Sequence, residues 1–315
     1  MSAPRAVVAG PAIAGPAIAR SALAGLLMAM LALALPAARA QAPSDAVHFR
    51  QIHLPGPDGS DARVLVTYAR RADGREHPPR ERLPIVVALH GQGEARRGPE
   101  RGFLGWSTDY HLPDAFAALA RGRLTSADYQ SFVRPEHLAA RNAALAAQPF
   151  RGLLVVTPYT PDLMPEPPGS EALRAYGDWI AGPLLAAVRA EVPFAAQTRG
   201  ATGIDGVSLG GMIALEVGLR HPETFATVGG IQPAVRDRVD ALAPLCDGTQ
   251  RVRLLSSDDD PFLGVTRALS DALRARHVEH DLVVTPGPHG YDFNRGPGGL
   301  ELLFFHDRTL AREPM

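Results

Sequence analysis

Lysine is absent from this chain of 315 residues, and cysteine occurs once, at Cys246. A single cysteine excludes an intrachain disulfide and any metal site built from several thiolates. The net charge of −1 becomes −4 without the first 40 residues, which carry three arginines and no acidic residue. Because binding to nucleic acids and other polyanions needs a basic surface, we expect no nucleic-acid partner.

No apolar run reaches the roughly 20 residues that a membrane-spanning helix requires. The longest, Ala22–Leu35, follows Arg5 and Arg20 and precedes a small-x-small sequence, Ala38–Ala40. This order is typical of a secretory signal peptide over residues 1–40 that is cleaved after Ala40. The alternative is an uncleaved anchor, whereas a lipoprotein anchor is excluded because no cysteine directly follows the run. We therefore expect an exported protein, periplasmic or extracellular, without a stable membrane anchor after cleavage.

About 275 residues remain after cleavage, which suffices for one α/β domain over residues 41–315. His48–Leu54 and Arg63–Ala69 predict the two strands of a hairpin, because Pro55–Ser60 between them is a turn-forming sequence. Apolar or glycine-punctuated runs predict six further strands of a buried, mostly parallel sheet: Leu83–Leu89, Gly152–Pro158, Arg199–Val207, Ala226–Ile231, Val252–Ser256 and His280–Thr285.

Helical spacing recurs between these strands, at about 170–191, 209–220, 261–276 and 299–311. Strands that alternate with helices imply right-handed crossovers and a doubly wound α/β fold. Residues 92–151, after the first central parallel strand, are more than a simple crossover needs. They predict either an inserted cap that forms a substrate wall or a larger crossover on the outside. Trp106 and Tyr110 in this segment are candidates for the substrate pocket, or else they pack a small core of the segment's own.

The pentapeptide Gly206–Gly210, with sequence GVSLG, lies between a predicted strand and a predicted helix. A serine hydroxyl can act as a nucleophile when a tight strand-to-helix turn exposes it beside a base. The crowded backbone of that turn requires glycine two residues to either side of the serine. We therefore interpret Ser208 as a catalytic nucleophile. The alternative is a glycine-rich turn with an incidental serine.

A serine nucleophile needs a base and an acid that orients the base, in the chain order serine, acid, histidine. His289 follows the last predicted strand in a turn rich in proline and glycine, and it is the candidate base. The candidate acid is Asp260, just before Pro261 at a helix entry; Asp258 is the second choice, and Asp259 is also open. The alternative is that these aspartates only cap the helix.

Two backbone N–H groups are needed to stabilise the oxyanion that forms during attack on an ester. The N–H of Leu209, directly after the nucleophile, is one candidate. The other is the N–H of Gln92, in the loop that follows the first central strand. His90 in the same loop is interpreted as a ring that braces the loop and not as a catalytic group.

Five stretches of this chain are similar to the motifs of one known family: Leu89–Gly91, Gly206–Met212, Pro222–Phe225, Asp258–Phe262 and Pro288–Gly290. The chain resembles an α/β hydrolase of the putative-esterase branch, which includes esterase D-like enzymes, ferric-enterobactin esterases and feruloyl esterases. The resemblance spans about residues 83–290. It implies the α/β-hydrolase fold, with Ser208 as nucleophile, His289 as base and Asp260 as orienting acid, hydrolysing an ester through an acyl-enzyme.

The expected function is that of an exported serine hydrolase acting on a small-molecule or polymer-linked carboxylic ester. No cofactor is expected, and no histidine, aspartate or glutamate cluster has the spacing of a metal site. A serine peptidase or an acyltransferase would use the same triad, and the fold does not separate these activities. A non-catalytic binding protein of this fold is the remaining alternative, and it would be expected to lack one of the three residues.

Overall fold

The computed structural model describes residues 46–70 and 81–315. The predicted signal peptide over residues 1–40, with its cleavage site, lies outside the described residues. Within the described part, no helix combines the length and the hydrophobicity needed to cross a bilayer.

Eight strands build the main sheet of the described chain: β1 (Val47–Pro55), β2 (Asp61–Ala69), β3 (Ile85–Leu89), β4 (Leu154–Pro158), β5 (Thr202–Gly206), β6 (Thr227–Ile231), β7 (Arg251–Asp259) and β8 (His280–Pro288). Their spatial order is β1-β2-β4-β3-β5-β6-β7-β8. The hairpin of β1 and β2 is antiparallel, and so is the pair of β2 and β4, whereas all other neighbours are parallel. The predicted doubly wound, mostly parallel sheet is confirmed.

Strand ends differ from the sequence prediction where the backbone has a specific reason. Pro84 has no N–H to donate, so β3 begins at Ile85, and Leu83 forms only an isolated bridge with Ala195. β7 and β8 run three residues further than predicted and pair up to Asp259 and Pro288. The extra length carries both strands to the edge of the sheet where the site lies.

Helices cover both faces of this sheet: α1 (Gln92–Ala95), α2 (Pro99–Gly102), α3 (Gly105–Thr108), α4 (Leu112–Ala120), α5 (Pro135–Ala147), α6 (Glu171–Trp179), α7 (Leu185–Glu191), α8 (Leu209–Arg220), α9 (Val239–Leu242), α10 (Leu263–Ala275), α11 (Tyr291–Phe293) and α12 (Gly299–Thr309). A wider π turn, Ile180–Leu184, separates α6 from α7, where the sequence predicted one helix. Pro183 inside that turn lacks an N–H and interrupts the regular hydrogen bonding. A second π turn, Asn294–Gly298, joins α11 to α12.

The core divides into two layers because successive residues of a strand point to opposite faces. Along β3, Ile85, Val87 and Leu89 pack into one hydrophobic cluster, and Val86 and Ala88 pack into the other. The first cluster lies under α6, α7, α8 and α10. The second lies under α4 and α12.

The segment over residues 92–151 belongs mainly to the second layer. Its α4 packs on α12, and the buried side chains of α4 share the second cluster with residues of the sheet. This packing matches the crossover that was one of the two alternatives. The beginning of the segment, residues 92–94, lines the same cavity as Ser208 at the edge of the sheet.

Candidate active site

The turn from β5 into α8 holds Ser208 in a backbone conformation that L residues rarely adopt, with φ 55° and ψ −114°. A Cβ at Gly206 would lie 2.3 Å from the carbonyl oxygen of Gly210. A Cβ at Gly210 would lie 2.4 Å from the carbonyl oxygens of Leu89 and His90. Both glycines of the motif are therefore required by close backbone contact. The turn presents the partly exposed Ser208 at the carboxyl edge of the sheet.

Ser208, His289 and Asp260 form a hydrogen-bonded series at this edge. The Ser208 Oγ lies 3.1 Å from His289 Nε2, and His289 Nδ1 lies 2.9 Å from Asp260 Oδ1. The Asp260 side chain is fully buried, whereas the His289 ring is partly exposed. When Nδ1–H donates to the carboxylate, Nε2 directs its lone pair at the serine hydroxyl. This is the arrangement in which an imidazole can accept a proton from serine.

Asp260 is held rigidly by two further hydrogen bonds. Its Oδ2 accepts from the Ser256 hydroxyl at 2.5 Å, and its Oδ1 accepts from the N–H of Phe262 at 3.0 Å. The second bond closes a turn just before α10, whose N-cap is Phe262 and lacks a side-chain cap hydrogen bond, so Asp260 does not act as the helix cap. The Phe262 ring also meets the His289 ring edge-on, with centroids 5.4 Å apart.

The other two aspartates point elsewhere. Asp258 pairs with Arg134, with Nη2 and Oδ2 3.1 Å apart, and accepts the N–H of Gly287 at 3.2 Å. Asp259 is exposed at the end of β7. The structure therefore brings one of the three candidate acids to His289, and it is Asp260.

Gln232 ties the acid loop to the base loop, which the sequence analysis missed. Its fully buried Nε2 donates to Ser257 Oγ at 2.7 Å and to the Pro288 carbonyl at 2.9 Å. Ser257 lies on the strand that leads to Asp260, and Pro288 directly precedes His289. Its position in the sequence could have indicated this role, because Gln232 directly follows β6 and therefore lies at the same edge of the sheet.

Gln92 and Leu209 begin α1 and α8, and N–H groups in the first turn of a helix have no acceptor within that helix. The two loops are in contact, since a Cβ at Gly91 would lie 3.8 Å from the Cβ of Ser208. The Gln92 side chain turns aside and donates to Asp162 at 2.8 Å. Leu209 directly follows the serine, and Gln92 lines the same cavity as Ser208.

His90 joins the Gln92 loop to the loop after β4. Its Nε2 accepts the Thr160 N–H at 2.8 Å, its own N–H donates to Thr160 Oγ1 at 3.2 Å, and its Nδ1 donates to the Gly91 carbonyl at 3.0 Å. Burial lowers the pKa of His90 to about 4, so the ring is neutral near pH 7. These contacts are those of a structural brace.

A cavity of about 230 Å³ opens beside Ser208 and His289. Tyr110, one of the two candidates for the substrate pocket, contributes to its wall. Trp106 does not line the cavity. Its ring is fully buried in the second hydrophobic cluster, where it packs edge-on against Tyr110 with centroids 5.1 Å apart. The alternative that an aromatic residue here packs a core therefore describes Trp106.

Glu94 is a buried carboxylate in this wall that the sequence analysis did not single out. Tyr110 donates its hydroxyl to one Glu94 oxygen and accepts the Gly91 N–H at 3.0 Å. Tyr291 donates to the other oxygen at 2.8 Å. Burial and the Glu94 charge raise the pKa of Tyr110 well above its usual value. Burial and the hydrogen bond to Glu94 raise the pKa of Tyr291 to about 12, so both hydroxyls remain donors.

A doubly wound sheet that presents a serine on a strand-to-helix elbow has the architecture of the α/β-hydrolase fold. Residues 160–281 match the family described as Putative esterase. This match supports the resemblance to the putative-esterase branch of α/β hydrolases that the motifs predicted, and with it a serine hydrolase that acts on carboxylic esters. No curated protein sequence matches the chain.

Solved structures show the same fold at low sequence identity. A ferulic acid esterase is 15% identical with a TM-score of 0.60, and the match covers 85% of this chain and 99% of the esterase. A feruloyl esterase module from Clostridium thermocellum, complexed with sinapinate, is 14% identical with a TM-score of 0.56 and coverages of 82% and 88%. A fluorophosphonate-binding serine hydrolase from Staphylococcus aureus is 11% identical with a TM-score of 0.53 and coverages of 83% and 98%.

Proposed function

We propose that this chain is an exported hydrolase that cleaves a carboxylic ester through an acyl-enzyme, with Ser208 as nucleophile, His289 as base and Asp260 as orienting acid. The observation that carries the proposal is the hydrogen-bonded series of these three side chains, which begins on the strained elbow. Each comes from a different loop at the carboxyl edge of the sheet, which is where α/β hydrolases hold their triad.

Acylation follows from the positions of the atoms. The Ser208 Oγ attacks the ester carbonyl carbon while His289 Nε2 accepts its proton. The buried Asp260 carboxylate stabilises the imidazolium that results, because Nδ1–H already donates to it. The imidazolium then returns the proton to the departing alkoxide. The ester C–O bond breaks, and the acyl group stays on the serine.

Water completes the cycle by the same route. His289 takes a proton from a water molecule that attacks the acyl-enzyme, and it returns the proton to Ser208 as the acid leaves. In both halves, negative charge develops on the former carbonyl oxygen. We assign its stabilisation to the N–H groups of Leu209 and Gln92, and one such donor is worth about 10²–10³ in kcat. The residues involved supply every proton transfer, so the scheme uses no cofactor.

A fluorophosphonate probe tests both the nucleophile and the oxyanion donors. We expect one adduct per chain, on the peptide that contains Ser208. In a crystal structure of the adduct, the phosphonyl oxygen should lie about 2.7–3.1 Å from the N–H groups of Leu209 and Gln92. The exposed Ser126→Ala variant should label as the parent does. A folded parent that takes no label would instead support the non-catalytic binding protein.

Hydrolysis of p-nitrophenyl esters from acetate to palmitate then separates the activities that share a triad. An esterase should release p-nitrophenol with a defined preference for chain length. A protein that labels at Ser208 but is inert on every ester would contradict the proposal and favour the peptidase or acyltransferase alternatives.

Export is supported by the sequence of residues 1–40, with its arginines, apolar run and small-x-small site. Expression of the full chain in a bacterial host should yield a mature protein that begins at Gln41, as read by N-terminal sequencing. Signal peptidase requires small residues at this site, so Ala40→Arg should leave the longer chain uncleaved. A parent protein that keeps Met1 and sediments with membranes would show an uncleaved anchor instead.

A further inference from the structure

The cavity beside Ser208 is small, and most of the side chains that line it carry a polar group. Its volume of about 230 Å³ lies below the ~300–1,000 Å³ typical of sites for drug-sized ligands. Val207 is the one aliphatic side chain among the described residues that line it. The remaining side chains in its wall carry hydroxyl, carboxylate, imidazole or carboxamide groups. The cavity therefore suits a short group and offers little apolar surface to a long acyl chain.

Most of these polar groups already have partners in the protein. The hydroxyls of Tyr110 and Tyr291 donate to Glu94, and the Gln92 side chain donates to Asp162. Their hydrogen-bonding capacity is largely used in holding the wall together. They shape the cavity more than they offer bonds to a ligand.

Asn294 is the exception in this wall. The residue lines the cavity and is only 6% exposed, yet its Oδ1, which a Cβ at Gly298 would meet at 3.2 Å, has no hydrogen-bond partner among the described residues. A buried carboxamide oxygen without a partner is unfavourable, because no hydrogen bond in the protein compensates for its loss of water. Rotation about the last side-chain bond can present either the acceptor or the donor of this group to a ligand. A ligand hydroxyl, which both donates and accepts, suits either orientation.

The negative charge of Glu94 disfavours an anionic ligand. Glu94 lies in the wall with both of its oxygens bonded to tyrosine hydroxyls, and it disfavours a second negative charge in the same cavity. A neutral polar group avoids that repulsion. We infer that the cavity binds a neutral, hydroxyl-bearing short chain of the ester, with Asn294 as the residue that recognises the hydroxyl. The inference rests on the proposed function, since it names the substrate class of the same site.

Paired esters that differ by one hydroxyl test this directly. On the acyl side, kcat/KM for p-nitrophenyl 3-hydroxybutyrate is compared with that for p-nitrophenyl butyrate. On the alcohol side, the butyrate ester of ethylene glycol is compared with that of ethanol. We expect at least about a tenfold preference for the hydroxylated member in one comparison, and that comparison identifies which part of the ester fills the cavity. No preference in either comparison would overturn the inference.

Substitution at Asn294 links the preference to this residue. Leucine is similar in size to asparagine but has no hydrogen-bonding group. In Asn294→Leu, the ratio of kcat/KM for the hydroxylated ester to kcat/KM for the plain ester should therefore fall to one or below. Asn294→Ser keeps a hydroxyl and should retain a ratio above one, while the exposed Gln148→Leu should leave it unchanged. Because the result is a ratio of two substrates on one protein, partial loss of folded enzyme does not alter it. An unchanged ratio in Asn294→Leu would overturn the assignment.

Two further outcomes have distinct meanings. Faster hydrolysis of p-nitrophenyl 3-aminobutyrate than of either butyrate ester would show that the cavity selects a cation through Glu94, against the inference. Hydrolysis of none of these esters, together with no fluorophosphonate label on Ser208, would remove the proposed function itself. Plain esterase activity with a preference for butyrate overturns only the inference.

Discussion

Replacing Ser208 with alanine is expected to lower kcat for ester hydrolysis by about 10⁶-fold, because no acyl-enzyme can form. The oxyanion donors and the binding cavity remain, so a residual rate about 10³–10⁴-fold above the uncatalysed reaction should persist. The serine hydroxyl bonds only to His289 among the described residues, so its loss should change the free energy of unfolding little. Steady-state kinetics on a p-nitrophenyl ester measures the effect, with fluorophosphonate titration to exclude trace parent enzyme.

Substitutions at Ser208 and His289, alone and together, show whether the two side chains act in the same step. His289→Ala should cost nearly as much as Ser208→Ala, and the double variant should lose no more than either single one. Ser126→Ala removes an exposed serine hydroxyl and should retain full activity. Retention of more than about one per cent of kcat in Ser208→Ala would show that another group carries the reaction.

The elbow could be predicted from the sequence because its steric requirement acts within five residues. A Cβ at either motif glycine would meet backbone atoms at 2.3–2.4 Å, so the requirement appears directly as GVSLG. The sheet was predictable for a similar reason, since its central strands show as short apolar or glycine-punctuated runs, although β7 and β8 extend three residues beyond theirs. The confirmed fold class and the confirmed resemblance to putative esterases rest on these local signals.

Contacts between distant parts of the chain left no such signal. Glu94 meets Tyr291, which lies 197 positions later, and His306 meets Asp205 beneath the elbow across 101 positions. Neither pair shows a periodicity or a spacing that marks it in the sequence. The sequence also could not predict whether Trp106 lies in the core or in the pocket wall, because aromatic side chains are common in both places.

The role of the three adjacent aspartates, Asp258, Asp259 and Asp260, could be predicted from the sequence only in part. Their position after a strand predicted an acid at this edge of the sheet, but three adjacent carboxylates are equivalent in a sequence. The structure distinguishes them by direction, since one meets the His289 ring, one meets Arg134 and one is exposed. Substitution of the three aspartates should therefore affect the activity to different extents.

Asp260→Asn is expected to lower kcat by about 10⁴-fold with little change in KM. An amide at this position can donate to His289 Nδ1, and the proton then resides on Nε2, facing Ser208. In that tautomer the ring cannot accept the serine proton, although every heavy atom keeps its place. Measurement of kcat and KM on one ester, with the melting temperature as a check of folding, distinguishes this loss of tautomer from unfolding.

Asp258→Asn and Asp259→Asn are the matched controls, because each removes one charge from the same triplet. Asp258 forms an exposed ion pair with Arg134, and pairs of this kind are worth about 0–1 kcal/mol, so its variant should stay within about tenfold of the parent. Asp259 makes no side-chain contact that the scheme uses, and its variant should be fully active. A larger loss in Asp258→Asn than in Asp260→Asn would transfer the orienting role to Asp258. The order of kcat among the three variants therefore tests whether the aspartate whose side chain points at His289 is the one that orients the base.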